Sequence, residues 1–136
     1  MESISQLNLL AVAAATLVYF IFGALWFTPL FGKAYDDSLG FERPKGYKWA
    51  PIFYWVPFLS SFLSVLLINW LYVTIKPASM AEAMLIGAVV GLVGLSISFN
   101  NAVTPNKPSP LKHGAVTGFY HLSASVLAVV VVHVIS

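Results

Sequence analysis

Long apolar runs at residues 7–30, 51–75, 82–103 and 114–135 alternate with short segments that gather most of the prolines and basic side chains. Each run holds the roughly 20 residues a helix needs to cross the ~30 Å hydrocarbon layer. Glycines inside the runs are compatible with helix, because in lipid a backbone must satisfy its own hydrogen bonds. The pattern predicts an all-α integral membrane protein, one four-transmembrane-helix bundle over residues 1–136. The first run has no basic residues before it and exceeds the ~7–15 residues of a signal-peptide core, so it is read as a retained span. Pro51 suits the first turn of the second helix and Pro57 is expected to kink it. Pro29 is expected to interrupt the first helix, with Gly32 supplying a left-handed cap behind it.

Composition agrees with this pattern. The chain is 59% hydrophobic and 9% charged, against roughly a quarter charged in soluble domains. A net charge of +2 without a basic helix gives no reason to invoke nucleic acid. Its use is topological: Lys33, Arg43, Lys45, Lys48, Lys107 and Lys112 fall in the first and third connections, whereas the second holds only Lys76. Positive loops stay cytoplasmic. Loops 32–50 and 104–113 are therefore expected in the cytoplasm, with both termini outside. Trp26, Phe27, Phe31, Tyr47, Trp49, Phe53, Tyr54 and Trp55 at one boundary, with Trp70 and Tyr72 at the other, match aromatic belts.

The third run spaces Gly87, Gly91, Gly94, Ser98 and Asn101 by four and three residues, and the fourth does the same with Gly114, Gly118, His121, Ser125 and Ala128. Such stripes of small residues let helix backbones approach closely. Antiparallel pairing of the two runs would set His121 near the height of Gly94; a seam between copies of the chain would use the same contacts.

His121 lies at membrane depth, where ionisable groups usually face the bundle or a wet cavity. Thr16, Tyr19, Ser61, Ser64, Ser98 and Asn100 fall at comparable depths or towards the cytoplasmic end, so a polar cluster across four helices is the candidate site. Its plain reading is interhelical hydrogen bonding, worth about 0.6 kcal/mol per contact. Along an ideal helix His113 and His121 stand about 12 Å apart, and His121 and His133 about 18 Å, too far for either pair to chelate one ion. The chain has no cysteine, and its five acidic residues all lie outside the helix interiors, so no metal or cofactor is predicted; a haem on His121 alone is left open by spacing. His133 is expected to partner Glu82, and Asp36, Asp37 and Glu42 to form a solvated loop. No nucleophile elbow, phosphate-binding glycine loop or zinc-protease motif is present.

Two motifs carry a resemblance. Gly23, Trp26, Phe27, Thr28 and Pro29, followed by Phe31, Gly32 and Lys33, resemble the first-helix motif of a bacterial membrane family known as domain of unknown function 1761. The segment "TGFYHLSASVLAVV" is similar to that family's Gly-Tyr-His last helix, with Tyr120 and His121 at matching places. The resemblance implies a four-helix membrane protein, in a bacterial inner membrane, and implies no activity. Three functions fit the residues: a self-associating or accessory membrane subunit without catalysis, with lipid and a second copy or another membrane protein as partners; an oligomeric carrier or channel for a small neutral or lipophilic solute, built on the His121 cluster; and an intramembrane enzyme using His121 with Tyr19 or Tyr120. Alkaline phosphatase fused after Ser136 should be active; activity there from a reporter that works only in the cytoplasm would overturn the orientation.

Overall fold

The computed structural model describes residues 6–136, which form helices α1 (Leu9–Leu25), α2 (Gly32–Leu39), α3 (Ile52–Ile75), α4 (Met80–Ala102) and α5 (Pro110–Ile135), with a π-helical turn at Trp26–Leu30 extending α1. Four stretches are long and apolar enough to cross a membrane: Leu9–Leu30, Ile52–Ile75, Met80–Ala102 and Pro110–Ile135. The fold class is thus the all-helical four-span bundle that the apolar pattern predicts.

Local chemistry fixes the helix ends. Asn8 caps α1 by accepting the Ala11 N–H at 3.1 Å. Ser79 caps α4 by accepting the Glu82 N–H at 3.2 Å, while the Glu82 carboxylate accepts the Ala78 N–H at 2.8 Å. This variant of the capping box, in which the carboxylate takes the N–H one residue before the cap, starts α4 at Met80, two residues before the predicted boundary. Pro110 suits a first helical turn, where its missing N–H costs nothing, so α5 begins four residues before Gly114.

The first connection departs most from expectation. Pro29 lacks the N–H that would continue an α-helical ladder, and the chain answers with a π turn in which the Phe31 N–H bonds the Trp26 carbonyl, five residues back, at 2.7 Å. The helix then resumes as α2, so Gly32 is a helical residue and not a left-handed cap. The left-handed residue is Gly40, with φ 66°, where the Gly40 and Phe41 N–H groups close onto the Asp37 and Asp36 carbonyls. Asp36 is buried on α2 and accepts from Arg43 Nη2 at 2.8 Å; its place in a solvated loop is corrected accordingly. Pro57 lies inside a continuous α3.

Helix α5 is the hub, packing against each of α1, α2, α3 and α4, whereas α4 packs chiefly on α5. The closeness of α4 and α5 follows from glycine. A methyl on Gly87 would stand 2.6 Å from the Ser125 carbonyl oxygen, on Gly91 2.6 Å from Leu122 Cα, and on Gly94 2.7 Å from His121 Cβ. From the other side, a methyl on Gly114 would meet Phe99 Cδ1 at 2.7 Å and one on Gly118 would meet Leu95 Cα at 3.2 Å. Lipid tails are as apolar as leucine, so helices associate through close packing and hydrogen bonds rather than escape from water. Both glycine stripes are consumed by this pairing within the chain.

The remaining core is built of small and branched residues: Ala11 and Ala15 of α1, Val65 and Ile68 of α3, Ala83 of α4, and Ala124, Ala128, Val129 and Val132 of α5 are all completely buried. Because the obstacle at Gly91 is backbone, Gly91→Val should destabilise the fold by about 1–3 kcal/mol. Leu17→Met, at an exposed position of α1, should be neutral in the same unfolding assay in mixed micelles.

Candidate functional site

The two sequence motifs meet in space. Tyr120 projects from α5 into a ring of aromatic side chains: Phe27 at 5.0 Å between centroids, Tyr19 at 5.7 Å, Phe22 at 6.2 Å and Trp26 at 6.4 Å. Phe27 and Tyr19 meet it edge-on, the arrangement that ring quadrupoles favour. Gly23 makes this possible, because a methyl there would stand 2.8 Å from the Tyr120 hydroxyl. The glycine of the first motif is therefore the recess for the tyrosine of the second. Three residues on, Trp26 donates from Nε1 to the Val116 carbonyl at 2.9 Å, clamping the π turn to α5. The indole then covers Phe31, with centroids 4.3 Å apart.

One residue beyond Tyr120, His121 Nδ1 shares a hydrogen bond with the Tyr19 hydroxyl at 3.3 Å. The phenol also lies beside Ser64 of α3 and Ser125 of α5, and that of Tyr120 lies beside Ser61. Tyr19 is 3% exposed and Tyr120 8%, whereas His121 is only partly buried, with its Cβ against Gly94. The site thus joins α1, α3 and α5 around two phenols and one imidazole.

Of the residues proposed from sequence, Tyr19, His121, Ser61 and Ser64 come together here. Ser61 also donates to the Pro57 carbonyl at 2.8 Å. Thr16 is buried one turn away but gives its proton to Val12 O of its own helix at 2.7 Å. Ser98 and Asn100 sit on α4, Ser98 partly buried and Asn100 exposed, and neither makes a side-chain hydrogen bond among the described residues. The motif residues Thr28, Gly32 and Lys33 instead line a shallow cleft of about 350 Å³ at the basic end, together with Asp36 and Arg43.

The other two histidines repeat the device. His133 pairs through Nδ1 with the Tyr72 hydroxyl at 2.9 Å, and Glu82, its expected partner, is occupied by the start of its own helix. His113 Nδ1 lies 3.0 Å from Ser38 Oγ, whose single proton goes to the Tyr35 carbonyl at 2.6 Å. His113 is accordingly the donor. Successive histidines of α5 thus bind α2, α1 and α3.

Sequence reading overlooked Asn69, which is completely buried on α3 with neither Nδ2 nor Oδ1 bonded to protein among the described residues. A carboxamide within an apolar helix is itself the signal that could have found it.

No curated protein and no solved structure matches the chain. The family model described as "Protein of unknown function (DUF1761)" matches residues 10–134, a stretch that takes in both motifs and all three histidines of α5. With nearly its whole length inside that match, the chain belongs to this family.

Proposed function

We propose that this protein is a non-catalytic membrane subunit that associates with itself through the outward face of α4. Asn69 apart, the histidines and most of the interior groups that could react with them are committed to partners within the chain: Tyr19 to His121, Trp26 to Val116, Tyr72 to His133 and Ser38 to His113. Tyr120 is held by five aromatic neighbours, counting His121 at 4.9 Å. Locked, buried phenols favour a fastening role over a solute path or a reacting site.

The observation that carries the reading is the exposure of Ser96 and Asn100, one turn apart on α4. Neither makes a side-chain hydrogen bond among the described residues, and polar groups facing lipid gain by bonding across to another helix. The glycines that would otherwise offer a seam are already used against α5, which directs association to this second face. The same reading places the chain in a bacterial inner membrane with its basic loops in the cytoplasm, and an accessory partner could occupy the α4 face in place of a second copy.

The chain contains no cysteine, so single cysteines can be introduced without background. In native membranes, Ser96→Cys and Asn100→Cys should give disulfide-linked dimers on mild oxidation, while Ala124→Cys, at a fully buried position of α5, should not. Exclusively monomeric protein from both α4 variants would refute self-association through this face.

A further inference from the structure

We infer that Asn69 holds an internal water, and that this water is the middle link of a polar column joining the Tyr72–His133 pair to the Tyr19–His121 pair. The inference starts from an unmet demand. Both polar atoms of the Asn69 carboxamide are buried without a protein partner among the described residues, a condition that costs free energy unless a hydrogen bond is supplied. Asn69 is 0% exposed, so neither lipid headgroups nor a second copy of the chain can reach it from outside. A partner must sit within the bundle.

Neighbouring contacts set the height of this demand. Helices α3 and α5 run parallel, registered by Ser61 beside Tyr120 and by Tyr72 bonded to His133. Asn69 falls between these contacts at about the level of Val129. From the helical rise, Tyr72 lies about 4.5 Å away along α3 towards the chain termini, and Ser64, beside Tyr19, about 7.5 Å away in the other direction. The two histidine–tyrosine pairs therefore bracket the orphan amide. Thr16 of α1 lies one turn from Tyr19 on the same side; its hydroxyl proton is given to Val12 O, which leaves its lone pairs free to accept.

Chemistry and access also point to water. The fully buried residues around this level, among them Ala15, Val65, Ile68, Ala128 and Val129, are apolar and offer the amide no side-chain hydrogen bond. A buried water needs two to four polar partners, and the Asn69 donor and acceptor already supply two. Tyr72 lines an open cleft of about 400 Å³ at the termini end, together with Asn8, Lys76 and Ser136, which brings solvent to the residue at the head of the column. Water is preferred to a cation because no carboxylate accompanies the amide among the described residues and no group of three ligating side chains is present there.

The test uses the full chain in lipid bilayers, with solid-state NMR of asparagine- and histidine-labelled protein. Magnetisation should pass from water to the Asn69 side-chain NH₂, and the peak should vanish in Asn69→Leu. In that variant the His121 ring proton should exchange with D₂O severalfold more slowly, while exchange at His133, outside the break, stays unchanged. An Asn69 amide that receives no magnetisation from water would overturn the site. Equal His121 exchange in wild type and Asn69→Leu would overturn the column. If Asn69→Leu does not fold, the wild-type water contact decides the inference by itself.

Discussion

Contact between the backbones of α4 and α5 is the constraint on which the rest of the molecule depends. In a bilayer there is no hydrophobic gain in pressing two apolar helices together, so their association rests on dispersion and hydrogen bonds that act only at short range. Gly87, Gly91 and Gly94 remove the side chains that would hold the helices apart, and Gly114 and Gly118 do the same from α5. With α4 seated so closely on one face, α5 keeps its other faces for α1, α2 and α3 and becomes the centre of the bundle.

That central helix is fastened by polar pairs at three heights. His113, His121 and His133 each bond a hydroxyl from a different element, namely Ser38, Tyr19 and Tyr72. Each bond is modest, but each fixes a register that close packing alone leaves free to slide. The aromatic recess at Gly23 and the indole clamp at Trp26 add a fourth fastening, at the point where Pro29 forces the chain out of α-helical register. The π turn is therefore the junction between the span and the helical connection that follows it.

Much of this was legible in the sequence because it depends on residue size and spacing. The four spans follow from apolar length, and the contact of Gly94 with His121 lies where an antiparallel pairing of the two stripes puts it. What was not legible depends on angular position and partner choice. Helix α2 does not emerge from the sequence because its polar composition resembles a loop, and the left-handed cap expected at Gly32 falls at Gly40. His133 was assigned to Glu82 from height alone, but the capping box claims the carboxylate and Tyr72 faces the imidazole. Asn100 lies nearer the basic end than His121 and faces outward, away from the inner cluster, and this outward facing is decided only by the rotation of α4 about its axis.

The most direct test of this architecture is the proximity of α4 and α5 in a lipid bilayer. Carbon-13 labels at the Cα atoms of Gly91 and Leu122 should give a strong dipolar cross-peak at short mixing time in solid-state NMR. It should persist when labelled protein is diluted into unlabelled protein, marking a contact within one chain. A cross-peak absent from the undiluted sample, or one that fades in proportion to dilution, would contradict the account.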